Sequence, residues 1–199
     1  MTGSNTENIN INTLDIDISS TEDIVKMINN EDFNAVKAVQ KVLPEITKAV
    51  DTVSKNFYNG GRLLYFGAGT SGRLGVLDAS ECPPTFSVSE NMVTGIIAGG
   101  DNALRHAIEG AEDKRDLAQE DFKNQKITKN DTIISISASR NAAYVIEILR
   151  LAKEIGCKTI AVTSNINAKL KEYADIFICA ETGAEAISGS TRMKAGTAQ

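Results

Sequence analysis

From Arg62 onward, short apolar segments alternate with longer segments of helical periodicity. The apolar segments predict five buried strands, at 63–66, 92–98, 132–136, 159–163 and 175–179. The intervening segments predict helices around 74–80, 103–118, 142–155 and 168–173. Strands joined by helices form right-handed crossovers, which give a parallel sheet covered on both faces. We therefore expect an α/β fold, a three-layer αβα sandwich with a five-stranded parallel sheet.

The residues before the first strand predict a different organisation. Residues 1–19 are rich in Asn, Thr and Ser, and we expect a flexible N-terminal arm. A helix cap at Ser20 begins a long pattern of apolar residues at three-to-four spacing, which Pro44 is expected to break or kink. Residues 20–60 are therefore expected to form helices that pack on the core, and residues 61–199 to form the main domain.

Composition narrows the class of protein. A chain of 199 residues has room for one full hydrophobic core, and no apolar segment approaches the roughly 18 residues of a membrane span. The three cysteines, Cys82, Cys157 and Cys179, lack metal-like spacing and are typical of free thiols in a cytoplasmic protein. A net charge of −5 argues against nucleic-acid binding but allows a small anionic ligand.

The loop after the first strand is the strongest candidate binding motif. Gly67, Gly69 and Gly72 match the dinucleotide fingerprint G-x-G-x-x-G. That fingerprint requires an acidic residue at the end of the second strand, where this sequence has Ala-Gly-Gly. Thr70 and Ser71 add two hydroxyl groups that a dinucleotide turn does not need. Because ligands bind at the carboxyl ends of parallel strands, we expect Gly69, Thr70 and Ser71 to hold a phosphate monoester.

Two further hydroxyl-rich segments precede predicted helices. Each alone is typical of a helix cap, but three at one edge of a sheet favour a phosphate site. The candidate phosphate-binding residues outside the first loop are Ser137, Ser139, Ser188, Ser190, Thr191 and Lys194.

Two glutamates lie near the same strand ends. Glu81 comes just before two prolines, where the first helix is expected to end, and Glu112 lies within the predicted helix after the second strand. Composition alone favours the interpretation that both are solvated carboxylates on helices. Such a group acts as a general acid or base only where burial or a neighbouring charge shifts its pKa. His106, the only histidine, has no partner motif and is expected on a helix surface. No side chains have the spacing of metal ligands.

Five segments together resemble a known family. They are 67–75 (GAGTSGRLG), 78–84 (DASECPP), 97–100 (IAGG), 109–113 (EGAED) and 189–199 (GSTRMKAGTAQ). They closely resemble the N-acetylmuramic acid 6-phosphate etherases of the sugar isomerase (SIS) domain family. The resemblance implies a flavodoxin-like strand order and an enzyme that works without metal or organic cofactor. It implies cleavage of the D-lactyl ether of N-acetylmuramic acid 6-phosphate by elimination then hydration, giving N-acetylglucosamine 6-phosphate and D-lactate.

The resemblance also implies roles for particular residues. Glu81 corresponds to the acid that protonates the departing lactate, and Glu112 to the base at C2. Thr70, Ser71 and the 188–191 loop would hold the 6-phosphate. The resemblance also implies a homodimer with sites near the subunit interface. The expected ligand is the sugar phosphate, and neither nucleic acid nor a membrane is expected as a partner.

Two departures from the family leave alternatives open. The loop after the third strand reads Ser-Arg-Asn-Ala-Ala at 139–143, where the etherases typically have Ser-Gly-Arg-Thr-Pro. The sequence stops at Gln199, whereas the family continues through a helical C-terminal portion, so we expect an excised domain or a naturally shortened protein. The alternatives to the etherase are a non-catalytic sugar-phosphate-binding regulator and an aldose–ketose isomerase of the SIS family.

Overall fold

The computed structural model describes residues 6, 8–139 and 141–199. Its α-helices are α1 Thr21–Lys41, α2 Leu43–Tyr58, α3 Gly69–Phe86, α4 Asn102–Arg105, α5 Arg115–Asn124, α6 Ala143–Glu154 and α7 Lys194–Ala198. Its strands are β1 Leu63–Gly67, β2 Val93–Ile97, β3 Thr132–Ile136, β4 Lys158–Thr163 and β5 Ile176–Cys179. All four strand pairings are parallel and the order is β2-β1-β3-β4-β5. The predicted parallel sheet with flavodoxin-like order is therefore confirmed.

Alternation of side chains along each strand divides the core into two layers. On one face, Leu64, Phe66 and Ile133 pack against Tyr144 and Ile148 of α6 in the largest buried cluster. On the other face lie smaller clusters that join the sheet to α2 and α3. The three-layer αβα arrangement predicted from the sequence is therefore confirmed.

The two N-terminal helices meet at the break expected near Pro44. Val42 separates them, and its N–H donates to the carbonyl of Val39 at 3.0 Å. Pro44 lies in the first turn of α2, where a missing N–H costs no helical hydrogen bond. Although α1 has 21 residues, neither it nor any other helix in the described part of the chain is apolar enough to cross a membrane.

Helix α3 corrects one expectation about Glu81. The sequence predicts that the helix ends before the two prolines, but α3 includes Pro83 and Pro84 and ends at Phe86. Both prolines lie in the last turn, where each lacks the N–H that would bond the carbonyl four residues earlier, and the helix ends two residues after Pro84. Ser87 then closes the helix with φ +56° and an N–H bond to the carbonyl of Pro83.

The predicted helix 103–118 is wrong as a single element. The chain forms the short α4, a 3₁₀ turn at Ala111–Asp113 and then α5. His106 is extended and Gly110 has φ +70°, a left-handed conformation that favours glycine and interrupts a helix. The segment predicted as a helix at 168–173 is likewise only a 3₁₀ turn, Lys169–Glu172.

Part of the expected N-terminal arm contacts the main domain. The side-chain amide of Asn10 donates to the carbonyl of Ala184 at 3.2 Å, and the hydroxyl of Thr13 donates to the carbonyl of Ala186 at 2.8 Å. A 3₁₀ turn, Ile11–Thr13, lies between these anchors. The arm thus lies beside the segment that leads into α7.

Candidate functional site

The loop between β1 and α3 combines close packing with an open helix N-terminus. A Cβ on Gly67 would lie 2.6 Å from the backbone nitrogen of Gly72, and one on Gly72 would lie 2.6 Å from Cγ1 of Ile97. These two glycines are therefore required for packing of α3 against the sheet. Gly69 begins α3 with φ +54°, and no side chain caps the helix at Ala68. The first amides of α3 can thus point at an anion.

Two predicted hydroxyl segments meet next to this loop. Gly67 pairs with Ile136, so the residues after β1 and after β3 are neighbours, at the point where the strand order reverses. The hydroxyls of Ser137 and Ser139 are 3.2 Å apart. Ser71 is buried, and its hydroxyl donates to Oε1 of Gln199 at 2.9 Å. Arg140, in the loop that departs from the etherases, lies outside the described residues.

A cavity of about 230 Å³ opens on the other side of the loop, between β1 and β2. Ala68, Gly69 and Ala98 form its floor, and residues 106–112 form its wall. Glu112 is an exposed residue of the 3₁₀ turn and lines this cavity. The structure therefore brings Glu112 and Gly69 together at one cavity.

Two cavity residues were not predicted from the sequence. Arg73 donates through Nε to the carbonyl of Leu104 at 3.0 Å and through Nη2 to that of Ala103 at 2.6 Å, and it thereby fixes the wall of the cavity. His106 lines the same wall just after α4 and does not lie on a helix. Their positions in the sequence could have indicated both residues. Each lies in a segment that follows a strand, and each is within six residues of a predicted site residue.

Glu81 lies far from this cavity. It is exposed on α3, twelve residues after Gly69, and a rise of 1.5 Å per residue separates the two by about 18 Å. The adjacent Cys82 packs near Leu63 and Val93, which begin β1 and β2. Glu81 therefore lies at the amino edge of the sheet and Glu112 at the carboxyl edge. Within one chain, the structure does not bring the two candidate catalytic carboxylates together.

Lys194 makes a buried ion pair. Its ammonium group donates to the carboxylate of Glu31 and, at 2.7 Å, to the carbonyl of Ala184. Burial alone raises the pKa of Glu31, but hydrogen bonds from Lys194 and Asn12 outweigh it and lower that pKa to about 2. The buried carboxylate of Glu185 accepts the N–H groups of Lys194 and Ala195 at 3.0 and 3.1 Å and caps α7. Lys194 thus supports the fold at the base of the 188–191 loop.

The 188–191 loop itself is more open than α7. Ser188 is exposed, whereas Ser190 and Thr191 are half-buried. The loop precedes α7, whose last residue neighbours the Gln199 that bonds Ser71. The loop and the start of α3 are thereby linked through α7.

Several buried polar groups near the sheet edge were missed by the sequence analysis. Within the described ranges, Oγ of Ser164, Nδ2 of Asn165, Oγ1 of Thr182 and Nε2 of Gln199 have no hydrogen-bond partner in the protein. Three of them follow β4 or β5, so they extend the polar carboxyl edge of the sheet. Groups of this kind are usually satisfied by ordered water. Residues 6, 8–139 and 141–199 contain no cluster of three side chains suited to a metal ion.

Family models match most of this chain. The model described as "Glucokinase regulatory protein N-terminal SIS domain" matches residues 45–153, and the SIS domain model matches residues 116–199. Curated relatives named N-acetylmuramic acid 6-phosphate etherase are 54% identical in Clostridium beijerinckii and 52% identical in Glaesserella parasuis, each over 98% of this chain. The chain spans 64% of the length of each of these relatives.

Solved structures share the architecture at low sequence identity. A phosphoheptose isomerase from Neisseria gonorrhoeae is 18% identical with a TM-score of 0.67, over 90% of this chain and 93% of that chain. One from Francisella tularensis is also 18% identical, with a TM-score of 0.65 and the same coverage. At this identity the likeness shows the fold alone.

Proposed function

The chain belongs to the SIS domain family, and from that membership we propose that it is the sugar-phosphate-binding part of an N-acetylmuramic acid 6-phosphate etherase. Identity above 50% to curated etherases over 98% of the chain carries the proposal. The chain spans less than two thirds of the length of those relatives. We therefore propose the activity for a whole protein of their length, in which this chain supplies the sugar-phosphate site. Such an enzyme is a carbon–oxygen lyase of amino sugar metabolism.

The phosphate of the substrate is proposed to bind where α3 begins. The amides of Gly69 and Thr70 and the hydroxyl of Ser71 surround the uncapped helix end, and Ser137 and Ser139 lie on the neighbouring strand end. Phosphate oxygens accept hydrogen bonds from such groups, and the helix dipole favours the negative charge. Rotation of the Ser71 hydroxyl from Gln199 to a phosphate oxygen would accompany binding. The 188–191 loop stays a candidate for a second wall, whereas the ammonium group of Lys194 is buried in its pair with Glu31 and is not available to the phosphate.

The reaction is proposed to begin on the open-chain aldehyde. Glu112 takes the proton from C2, which the neighbouring aldehyde acidifies, so no cofactor is needed to stabilise the resulting carbanion. The electron pair forms the C2–C3 double bond while the C3–O bond to the lactyl group breaks. Glu81 lies far from this cavity within one chain, so we propose that Glu81 of the second copy in a homodimer gives its proton to the departing lactate oxygen. Water then adds to C3 and a proton returns to C2, which yields N-acetylglucosamine 6-phosphate.

The test is release of D-lactate from N-acetylmuramic acid 6-phosphate by the purified whole protein. We expect lactate from the wild type, and a loss of at least 100-fold in Glu112→Gln, because positioned acid–base groups contribute about that factor. Glu109→Gln is the matched control, since Glu109 lines the same cavity but has no proposed proton to move. Unchanged lactate release in Glu112→Gln would remove the proposed base.

A regulator that binds sugar phosphates without turnover is the second candidate. It is favoured by the match of residues 45–153 to the glucokinase regulatory protein model and by the departure at 139–143. Calorimetry with sugar 6-phosphates, run beside the lactate assay, separates the two candidates. Binding with no lactate would support the regulator, and lactate release would support the etherase.

We also propose a cytoplasmic location. Cys82, Cys157 and Cys179 are free thiols, and burial raises the pKa of Cys157 and of Cys179 to about 12. Thiols of this kind persist in a reducing compartment. Fractionation of cells that express the tagged protein tests the location, with recovery in a periplasmic or extracellular fraction as the opposing result.

A further inference from the structure

The proposed substrate carries two anionic groups. The phosphate on C6 has the start of α3 as its proposed site, whereas the carboxylate of the lactyl group, three bonds from C3, needs a site elsewhere. Because Glu112 is proposed to act at the adjacent C2, the lactyl carboxylate must lie in or beside the cavity that Glu112 lines. Glu109 lines that cavity as well. Like charges at such short range repel, so a third carboxylate in this cavity requires a cation.

Arg73 supplies the positive charge of this cavity. Of the described residues that line it, Arg73 is the only arginine or lysine. Within residues 6, 8–139 and 141–199, its guanidinium group makes no ion pair with a carboxylate, whereas Arg62 and Arg150 each pair with an acidic side chain. Arg73 is therefore a half-buried cation with no counter-ion in the described part of the chain.

Backbone carbonyls fix the orientation of the Arg73 guanidinium group. Its Nε donates to the carbonyl of Leu104 at 3.0 Å, and its Nη2 donates to the carbonyls of Ala103 and His106 at 2.6 and 3.3 Å. These bonds occupy three of the five N–H groups of an arginine, and the other two are on Nη1. Among the described residues Nη1 has no hydrogen-bond partner. A rigidly held cation at the cavity thus keeps two donors for a ligand.

We infer that Arg73 binds the lactyl carboxylate of the substrate through Nη1 and makes the site selective for amino sugar phosphates that carry a 3-O-lactyl group. The inference rests on the proposed etherase function, because that function is what places a lactyl group beside Glu112. The charge of Arg73 offsets the repulsion of the ligand carboxylate by Glu109 and Glu112. The contact also restricts rotation about the C3–O bond, so the leaving group is oriented while the proton is removed from C2.

Two ligands that differ only in the lactyl group test this assignment by calorimetry. They are N-acetylmuramic acid 6-phosphate and N-acetylglucosamine 6-phosphate, and the whole protein is used in a Glu112→Gln background so that turnover does not deplete the first ligand. Arg73→Met keeps an apolar stem and removes the charge and the donors. We expect it to weaken binding of the muramic acid ligand at least tenfold more than binding of the glucosamine ligand, because only the former loses a charge-assisted hydrogen bond.

Arg105→Met, in the same background, is the matched control. Arg105 is exposed at the end of α4 and is not among the residues that line the cavity. Its replacement removes one positive charge near the site, as Arg73→Met does, but removes no donor from the cavity. We expect the ratio of the two dissociation constants to stay unchanged. A change in that ratio as large as in Arg73→Met would show that net charge sets the selectivity and would overturn the inference.

The bonds from Arg73 to the cavity wall make a purely structural role the competing explanation. A loosened wall would weaken both ligands by the same factor, and that result would overturn the inference. Changing the ligand tests the contact even if Arg73→Met does not fold. The neutral amide of the lactyl carboxyl group should bind to the protein that retains Arg73 at least tenfold more weakly than the carboxylate. Equal affinities for the amide and the carboxylate would refute the contact.

These measurements distinguish the inference from the proposed function. Selective binding that depends on Arg73, with no lactate released by the wild-type protein, would count against the etherase reaction alone. Lactate release with a selectivity that Arg73→Met does not alter would count against the role of Arg73 alone. A protein that binds neither ligand would overturn both.

Discussion

The buried pair between Lys194 and Glu31 gives the sharpest prediction about stability. Their side chains are 3% and 5% exposed, and Asn12 and Asn34 also donate to the carboxylate. Breaking a buried pair leaves an uncompensated charge and costs about 3–5 kcal/mol. We expect Lys194→Met to lower the free energy of unfolding by that amount at pH 7. Glu31→Gln combined with Lys194→Met should lower it by less, because no lone carboxylate stays buried.

The same pair predicts a pH dependence with a definite sign. The pKa of Glu31 falls from its ordinary value of 4.5 to about 2 on folding, so the unfolded chain binds more protons between those values. Stability from this group is therefore complete above pH 4.5 and is lost as the pH falls toward 2. The pKa difference corresponds to about 3 kcal/mol, the same order as the loss expected for Lys194→Met.

Urea unfolding followed by circular dichroism at pH 3, 5 and 7 measures both effects. The difference in unfolding free energy between wild type and the double variant should shrink by about 1.5–2 kcal/mol from pH 5 to pH 3, about half of what the pair contributes. Other carboxylates with lowered pKa values, such as Glu147 and Asp131, cancel in this comparison. A difference that stays constant with pH, or a Lys194→Met chain as stable as wild type, would refute the reasoning.

Two further predictions concern the loop and the cavity wall. Gly72→Ala should destabilise the protein by about 1–3 kcal/mol in thermal unfolding, because its Cβ would lie 2.6 Å from a side-chain carbon and 2.7 Å from a carbonyl oxygen. Gly196→Ala is the control and should be neutral or stabilising, because its Cβ would meet nothing closer than 3.6 Å. Equal losses of stability in the two variants would contradict the packing argument. Arg73→Ala should raise amide hydrogen exchange over residues 102–112 by at least tenfold, because three backbone carbonyls lose their donor, and unchanged exchange there would show that Arg73 does not hold the wall.

Much of the fold follows from local patterns in the sequence. Apolar segments separated by helical segments can bury both faces of a sheet in only a few arrangements. All five strands were predicted to within two residues at either end. The errors came where two local signals compete, with helical apolar spacing on one side and proline or glycine on the other. Pro83 and Pro84 stay helical in the last turns of α3, and Gly110 interrupts a segment whose apolar spacing predicts one helix.

The candidate site was predictable only in part. A glycine and hydroxyl loop after a buried strand indicates anion binding at a helix N-terminus, whatever the rest of the chain does. The sequence did not show that Gly67 and Gly72 are required for packing, or that Arg73 holds the cavity wall. These facts depend on which elements the sheet places side by side.

The sequence alone determined the parallel sheet and indicated the anion-binding loop, because periodicity and residue chemistry are local properties, whereas the two candidate carboxylates were singled out by the resemblance to the family. Only the tertiary structure decided where those carboxylates lie. Helix α3 runs from the carboxyl edge of the sheet to its amino edge, so it carries Glu81 away from Glu112. The tertiary structure also brings Lys194 to Glu31, a residue 163 positions away in the sequence. Distances between segments remote in sequence arise from packing, and no local pattern records them.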